Sequence, residues 1–330
     1  MRVVRVPEAG EIAAAAAIVD GALDRTPVVR APRLGRDVWL KLESLQPTGS
    51  FKVRGALVAV TAATARDPQA AIVTASAGNH GLGIAFAATR LGVRATIVVP
   101  VNASEAKTAA IEEFAVTLVR HGSGYDEAEA HALELADAGA VFISPYNDPD
   151  VITGQGTIAT ELLDQVPGLA TIITPVGGGG LASGLGLAAS LARGVRVIGV
   201  EAEQSPALRA ALDAGRPVAI TPGPTLADGL AGNLEAGSVT FDLVRRTIAD
   251  VVTVSEAEIA AAMRALARDH GLVAEGSAAV GVATQMRGGL AASAGATAIV
   301  VTGRNIAAGA FARVLTGEPP RDDGGDPCSS

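Results

Sequence analysis

Short apolar runs rich in Val, Ile and Thr alternate along most of the chain with segments whose apolar residues recur at helical spacing. The runs predict strands at Val38–Leu42, Ala71–Thr74, Ala95–Val99, Thr117–Arg120, Val141–Ile143, Thr171–Thr174, Val195–Val200, Val251–Val254 and Ala298–Val301. The segments between them predict helices that include Gly55–Thr64, Gly81–Leu91, Ala106–Phe114, Tyr125–Ala138, Gln155–Val166 and Leu181–Leu191. Near-continuous apolar strands separated by helices are typical of an α/β protein with a parallel sheet covered on both faces.

Three local signals refine this pattern. Ser255 followed by Glu258 has the spacing of a capping box and predicts a helix over Glu256–His270. The apolar run Ile12–Val19 is too short to cross a bilayer and has acidic neighbours, so it predicts an amphipathic surface helix rather than a signal peptide. The stretch Pro145–Pro149 is a candidate hinge, because its prolines cannot continue a helix or a central strand.

The composition narrows the classes of protein that this pattern allows. Hydrophobic residues are 49% of the 330 and charged residues 18%, which fits a globular enzyme and excludes a disordered chain. The formal net charge of -8 disfavours binding to nucleic acid or an anionic membrane, since their phosphates would repel it. The single cysteine, Cys328, cannot form an internal disulfide, so a cytoplasmic location is expected. Residues 317–330 are rich in Pro, Gly, Asp and Ser and predict a disordered tail.

The first candidate chemical motif is a lysine at a predicted strand-to-helix junction, in the segment Gln46–Gly55. Lys52 falls in the first turn of a helix, where the helix dipole disfavours its charged form. Partial burial beside Phe51 would lower the pKa of Lys52 further, and an easily deprotonated lysine is what Schiff-base chemistry needs. Position alone, however, favours an ordinary solvated lysine on a helix.

Two further motifs also follow predicted strands, where ligands bind in open parallel sheets. The loop Ser76–Gly81 has glycines and a helix start that favour an anion, although alone it is equally a polar helix cap. Four consecutive glycines, Gly177–Gly180, are costly in conformational entropy and are interpreted as a nest of main-chain donors around one phosphate rather than as packing residues. Neither a Walker loop nor a dinucleotide fingerprint matches this sequence.

Taken together, these motifs resemble those of fold-type II pyridoxal phosphate (PLP) enzymes, across nearly the whole chain. The segment Val301–Asn305 after the last strand is a fourth match in the order of that family. The resemblance is strongest to threonine/serine dehydratases and serine racemase, and it is supported by the segments Val151–Thr157, Thr225–Gly229 and Val273–Ser277. It implies a fold similar to the tryptophan synthase β subunit, with two lobes that each have a mostly parallel sheet flanked by helices.

The resemblance also implies roles for individual residues. Lys52 would hold PLP as a Schiff base and act as the catalytic residue. The other residues implied to bind the cofactor are Phe51 beside the ring, Asn79 at its phenolic oxygen, Gly177, Gly178, Gly179, Gly180 and Leu181 at the phosphate, Thr302 at the pyridine nitrogen, and Glu275 near the ring edge. The substrate carboxylate would bind the loop that contains Ser76, Ala77, Asn79 and His80.

The same resemblance implies a lyase that converts L-threonine, L-serine or a related β-hydroxy amino acid to a 2-oxo acid and ammonia. Racemases of this group have a serine where this chain has Ala77, and an alanine cannot deliver a proton. A serine or aspartate racemase is therefore the alternative function rather than the expected one. A dehydratase of hydroxyaspartate, phenylserine or a hydroxyectoine-derived substrate is a further alternative. Arg304 stands where many relatives have glycine, and it is interpreted either as a surface ion pair or as a contact to an acidic substrate or to the cofactor phosphate.

The resemblance leaves several further expectations. Glu201 and Ser205 match two positions of a cation site, but Ala207 replaces its aspartate, so a divalent ion, a monovalent ion or no metal is expected. The expected domains are a large PLP-binding domain of residues 1–67 plus 148–316 and a small mobile domain of residues 68–147. The expected partners are a small amino-acid substrate and further copies of the chain, in a homodimer or homotetramer.

Overall fold

The computed structural model describes residues 4–288 and 295–317 and contains two β-sheets flanked by helices. The strands are β1 (Val28–Arg30), β2 (Val38–Leu42), β3 (Ile72–Ala75), β4 (Ala95–Val99), β5 (Thr117–Arg120), β6 (Val141–Phe142), β7 (Leu169–Pro175), β8 (Arg196–Ala202), β9 (Asp250–Val254) and β10 (Ala296–Val301). The helices are α1 (Ile12–Asp20), α2 (Lys52–Arg66), α3 (Asn79–Leu91), α4 (Glu105–Glu112), α5 (Tyr125–Asp137), α6 (Pro149–Gln165), α7 (Gly180–Ala189), α8 (Ala207–Ala214), α9 (Val239–Thr247), α10 (Glu256–His270), α11 (Gly276–Arg287) and α12 (Ala308–Thr316). Short 3₁₀ turns cover Ala9–Glu11, Glu43–Leu45 and Asp228–Leu230.

The larger sheet has six strands in the order β1-β2-β10-β7-β8-β9, and the smaller has four in the order β5-β4-β3-β6. Every pairing is parallel except that of β1 with β2. The predicted α/β class with mostly parallel sheets is therefore confirmed. The strand β1 was not predicted, since it is a three-residue, partly buried edge strand with little apolar signal.

Burial on both faces explains why the strands of the larger sheet are almost wholly apolar. Ile173 of β7 packs with helices α10 and α11 in one core cluster, whereas its neighbour Ile172 packs with α6 and α7 in another. A third cluster joins α1 and α2 to the smaller sheet and its helices. Since α2 packs against both α3 and α6, it lies where the two halves of the molecule meet.

Helix boundaries show what the sequence patterns captured. The capping box of Ser255 and Glu258 is present at the start of α10, and the run from Ile12 is the helix α1 with one buried face, so both predictions are confirmed. Helix α6 begins earlier than predicted. Asp148 caps it by accepting two backbone N–H groups, and Pro149 occupies the first turn, where its missing N–H has no cost. The stretch Pro145–Pro149 thus connects β6 to the first residue of α6, and its role as a hinge stays a prediction.

The division into domains and the nature of the C-terminal segment stay predictions. The strands of the smaller sheet lie between Ile72 and Phe142, but the division of domains at residues 67 and 147 stays a prediction. The expected tail from 317 onward falls outside the described residues except for Gly317, which ends α12 with a positive φ of 78°. Cys328 also lies outside them. Among the described residues, none of the helices combines the length and the apolar character needed to cross a membrane.

Candidate active site

Three of the four sequence motifs follow neighbouring strands of the larger sheet. The lysine segment follows β2, the Thr302–Asn305 loop follows β10, and the glycine loop follows β7. These strands are adjacent and parallel, so their carboxyl ends meet at one edge of the sheet. The topology therefore brings together residues that are far apart in the chain, at the edge where open α/β sheets bind ligands.

The lysine segment and the Thr302–Asn305 loop are held together by their backbones. The N–H of Phe51 donates to the carbonyl of Thr302 at 2.9 Å, and the N–H of Arg304 donates to the carbonyl of Gly49 at 3.0 Å. Gly49 has a φ of 73°, and a Cβ there would lie 2.3 Å from Oδ1 of Asn305. Glycine at this position thus allows both the left-handed turn and the close approach of Asn305.

Lys52 is the first residue of α2, and its amine lies in a polar but secluded position. Its Nζ donates to the carbonyl of Pro145 at 2.7 Å and lies 5.3 Å from the centre of the Phe51 ring. Desolvation lowers the pKa of Lys52 to about 8, although the negative charge of Glu275 opposes the shift. A substantial fraction of this amine is therefore neutral, and hence nucleophilic, near neutral pH.

The amide of Asn79, the first residue of α3, is fixed by two neighbours. Its Nδ2 donates to Oε1 of Glu275 at 2.9 Å, and its Oδ1 accepts from Nδ2 of Asn305 at 2.6 Å. The second N–H of the same amide can serve a ligand oxygen. Glu275 is itself held by its N–H, which donates to the carbonyl of Gly303 at 3.1 Å. The structure thus groups Asn79 and Glu275 with Lys52, whose pKa Glu275 influences.

The Ser76–His80 loop contributes mainly backbone to the site. Oγ of Ser76 accepts the N–H of Gly78 at 3.2 Å, and Ala77 packs partly against the core of the smaller sheet. The ring of His80 is buried, and its Nε2 donates to the carbonyl of Ile143 at 3.2 Å. Burial and the charge of Lys52 lower the pKa of His80 to about 3, so the ring is neutral. Binding of the substrate carboxylate by this loop stays a prediction, and for His80 it can concern only the main chain.

The glycine loop is both a set of main-chain donors and a packing surface. Gly179 has a φ of 85° and precedes α7 with no capping side chain, so the first N–H groups of that helix can hold an anion. A Cβ on Gly178 would lie 2.3 Å from the Tyr146 ring, and one on Gly180 would lie 2.8 Å from the Tyr146 backbone. The statement that these glycines do not serve packing is therefore wrong, because Tyr146 requires two of them to lack a side chain.

Several observations at this edge fit PLP, which has an aldehyde, a phosphate and a pyridine ring. The amine of Lys52 suits an aldehyde, and the glycine loop at the start of α7 suits a single phosphate. The hydroxyl of Ser50, two residues before Lys52, and that of Ser277, two residues after Glu275, are buried without hydrogen-bond partners in the described part of the chain. Unpaired buried hydroxyls are costly and indicate a ligand or water that satisfies them.

The remaining predicted cofactor residues lie at the same edge. Thr302 is buried and follows β10, Leu181 is the second residue of α7, and Phe51 precedes α2. Their contacts to the cofactor, like the other predicted residue roles, stay predictions. Nη1 of Arg304 donates to the backbone carbonyl of Ser44, and both interpretations of its charge stay predictions.

The expected cation residues are used within the protein. Both oxygens of Glu201 accept backbone N–H groups at the start of α8, from Leu208 and Arg209, each at 2.8 Å. Burial raises the pKa of Glu201 to about 7, and Oγ of Ser205 accepts the N–H of Gly232 at 3.0 Å. Within residues 4–288 and 295–317, no group of three or more His, Cys, Asp and Glu side chains could hold a metal ion. A cation at Glu201 and Ser205 stays a prediction.

Sequence reasoning missed several residues that shape this site. Tyr146 lies against the glycine loop, and its hydroxyl accepts the N–H of Glu235 at 2.8 Å. Pro145 supplies the carbonyl that holds the amine of Lys52. Their one signal in the sequence was the PYNDP stretch itself, which was interpreted as a hinge.

Comparisons with known proteins agree with this geometry. Residues 19–303 match the model of a family described as pyridoxal-phosphate dependent enzyme. The L-threonine ammonia-lyase of Thermotoga maritima is 41% identical over 85% of this chain and 70% of its own length. The biosynthetic L-threonine dehydratase of Haemophilus influenzae is 41% identical over 76% of this chain, which spans about half (49%) of that protein. The structure of maize serine racemase superposes with a TM-score of 0.88 at 30% identity, over 95% of this chain and 98% of that one.

Proposed function

The chain belongs to the family of pyridoxal-phosphate dependent enzymes, and from this premise we propose that it is a threonine/serine dehydratase. It removes the β-hydroxyl and the amino group of a β-hydroxy amino acid and yields a 2-oxo acid and ammonia. The observation that carries the proposal is the amine of Lys52, with its pKa lowered to about 8, at the same sheet edge as the glycine loop. Asn79 of the smaller sheet's helix α3 is joined to that edge by its hydrogen bonds to Glu275 and Asn305. Relatives at about 40% identity that are named threonine ammonia-lyases or dehydratases support the proposal.

When bound, PLP supplies an electron sink for the pair released from the Cα–H bond of the substrate. The chain supplies orientation and proton transfer. The N–H groups at the start of α7 would hold the phosphate, and Asn79, held by Glu275 and Asn305, would offer its second N–H to the phenolic oxygen. Thr302 would present a neutral hydroxyl, rather than a charged group, to the pyridine nitrogen.

Lys52 is the group that moves the substrate proton. Its amine is neutral in a useful fraction of molecules near pH 8, so it can take the proton from Cα, and the carbonyl of Pro145 orients it. Loss of the β-hydroxyl as water leaves an unsaturated amine, which a second water converts to the 2-oxo acid and ammonia. The neutral ring of His80 takes no part in this transfer, since it is buried and hydrogen-bonded to Ile143.

A serine or aspartate racemase is the second candidate, because the maize racemase is so similar in structure. Racemisation needs a second proton donor on the face of Cα opposite the lysine. In the family that donor is the serine at the position of Ala77, and a methyl group has no proton to give. We therefore infer that elimination exceeds racemisation, and chiral analysis of the amino acid left after incubation with L-serine would test this.

The direct test is a panel of β-hydroxy amino acids assayed for both 2-oxo acid and ammonia. The panel includes L-threonine, L-serine, hydroxyaspartate, phenylserine and a hydroxyectoine-derived substrate. Wild-type protein should turn over L-threonine or L-serine, and Lys52→Ala should lose its visible absorbance and at least about a thousandfold in kcat. Turnover that persists in Lys52→Ala would refute the proposal.

Finer properties are proposed on the same footing. L-serine is expected as a substrate beside L-threonine, the location is expected to be cytoplasmic, and the expected assembly is a homodimer or homotetramer. The single cysteine supports the expected location, and the resemblance to the family supports the expected assembly. Light scattering of the purified holoenzyme would establish the number of subunits.

A further inference from the structure

A buried cluster of four charged side chains lies at the base of α2. It consists of Lys41 from β2, Glu43 from the turn after it, Arg54 from α2 and Glu161 from α6, each at most 3% exposed. All five N–H groups of the Arg54 guanidinium have acceptors. Nε and Nη2 donate to Glu43 at 2.7 and 2.8 Å, Nη1 and Nη2 donate to Glu161 at 2.6 and 3.0 Å, and Nη1 donates to Thr157 at 3.2 Å.

This cluster holds the turn of helix that contains Lys52. The preceding residue, Phe51, makes no side-chain cap, and the first turn has no acidic residue to interact with the helix dipole. Arg54 lies in that same turn, and its side chain joins the turn to Glu43 and to α6 through five hydrogen bonds. Two carboxylates on different elements grip one planar guanidinium, a geometry that fixes position as well as charge.

The backbone around Arg54 is equally confined. Gly55 faces Gly154 of α6, where an added Cβ would lie 2.7 Å from Cα of Gly55. The same helix α6 carries Glu161 and begins just after Pro145, whose carbonyl accepts from Lys52. Two contacts therefore fix Lys52 relative to α6 and the segment before it. One is the hydrogen bond from its own amine to Pro145, and the other is the contact of Arg54, about half a helical turn further along, with Glu161.

The charges in the cluster balance, which matters for a neighbouring amine. Two cations and two anions sum to zero when all are ionised, and the carboxylates raise the pKa of Arg54 while the guanidinium lowers that of Glu43 against the effect of burial. The pKa of Lys52 accordingly responds to desolvation and to Glu275, not to this cluster. The cluster can fix Lys52 in space without raising its pKa.

We propose that Arg54, clamped between Glu43 and Glu161, is a positioning residue that sets the place of the Lys52 amine for proton transfer. The proposal rests on the dehydratase function proposed above. A misplacement of about 1 Å of a catalytic group costs on the order of a hundredfold in rate. Loosening the clamp should therefore lower kcat, while the binding of substrate and cofactor is largely kept.

The test compares Arg54→Lys with Lys41→Met in the holoenzyme. A lysine at 54 keeps the charge but cannot grip both carboxylates, so kcat should fall about tenfold to a hundredfold, with KM for L-threonine little changed. The visible absorbance of bound PLP should also change its dependence on pH, because the amine is less well fixed. Lys41→Met removes a charge of the same cluster but keeps Arg54 and both carboxylates that grip it. Its kcat per folded molecule should therefore stay near wild type even if the melting temperature falls more.

Two further variants protect the comparison against misfolding. Glu43→Gln keeps the size of the side chain but turns an amide N–H₂ toward Nε of Arg54, and it should lower kcat like Arg54→Lys. Gln165→Leu removes an acceptor of Lys41 and a donor to the carbonyl of Thr26 but no partner of Arg54, so it is the mild control. If kcat falls equally in all variants of equal stability, or in none, Arg54 has only a structural role and the proposal is wrong. Inactive wild-type protein would instead refute the proposed function.

Discussion

Two lysines of this protein, Lys41 and Lys52, both have a buried amine in polar surroundings, but the two amines differ in the number of hydrogen-bond acceptors around them. Nζ of Lys41 donates to Glu161 at 2.5 Å, to Gln165 at 2.7 Å and to the carbonyl of Thr26 at 2.9 Å. Nζ of Lys52 donates only to the carbonyl of Pro145 among the described residues. An ammonium has three N–H groups to satisfy, so Lys41 is complete within the protein and Lys52 is not.

The electrostatic environments differ in the same direction. Desolvation lowers the pKa of both amines. At Lys41, the carboxylates of Glu43 and Glu161 both oppose that effect, and Glu161 is in direct contact. At Lys52 the one opposing carboxylate is Glu275, which makes no ion pair with it in the described structure, and the pKa reaches about 8. Burial therefore produces a fixed ammonium where acceptors surround it, and a reactive amine where they are withheld.

Replacing each lysine with methionine should separate the structural role of Lys41 from the catalytic role of Lys52. Of the predicted changes in stability and activity, these are the largest. Lys41→Met removes one of the two cations of the buried cluster and leaves Arg54 alone to balance Glu43 and Glu161. The free energy of unfolding should therefore fall by about 3–5 kcal/mol. Lys52→Met removes an amine whose charged form is disfavoured by burial, so stability should be kept or improved while activity is lost. Urea unfolding of the apoproteins and kcat measurements would check both.

The same experiment has a clear contrary outcome. If Lys52→Met destabilised the protein more than Lys41→Met, the amine of Lys52 would be part of the structural framework, and the contrast drawn between the two lysines would be wrong. A surface control such as Arg268→Met, whose ion pair with Asp269 is solvent-exposed, should change stability by less than about 1 kcal/mol.

The two lysines also mark what the sequence could predict. Lys52 stands in a contiguous motif beside a strand, and the order of such motifs along the chain was sufficient to place the site at one sheet edge. Lys41 lies in an apolar run, VWLKL, and its partner Glu161 is 120 residues further along the chain. No local pattern joins the two, so the cluster was invisible until the fold brought β2, α2 and α6 together.

The same distinction applies to the fold. Mostly buried strands such as β2 and β4 were predicted with their observed bounds, because burial on both faces leaves a direct mark in the sequence. Helix α11 was not predicted as a helix, since its residues from Gly276 to Thr284 are all buried and small and show no polar face. The packing of Tyr146 on Gly178 could not be predicted from the sequence either. A glycine that makes room for an aromatic ring cannot be told in the sequence from a glycine that binds a phosphate.

The pH dependence of PLP attachment to Lys52 is the prediction with an intermediate expected effect, and it tests the reactivity of this amine directly. With a pKa of about 8, this fraction rises tenfold per pH unit below 8 and levels off above it. The rate at which apoenzyme acquires the visible absorbance of bound PLP should follow that profile. Stopped-flow mixing with PLP between pH 6 and about 10 would measure it. A rate that kept rising to pH 10 would show an ordinary lysine, with the pKa that Lys52 would have in water.

The smallest expected effect concerns Glu275, the carboxylate that raises the pKa of Lys52. Glu275→Gln removes the charge but keeps an oxygen that can accept from Asn79, so the arrangement of the site should persist. The midpoint of the attachment profile should then move to lower pH, by less than about one unit, because the charge acts without direct contact. Glu201→Gln is the matched control, since it neutralises another buried carboxylate that does not influence Lys52. A shift to higher pH in Glu275→Gln, or an equal shift in both variants, would mean that burial in general, rather than Glu275, sets the pKa of Lys52. The distinction between Lys41 and Lys52 would then depend on hydrogen-bond acceptors alone.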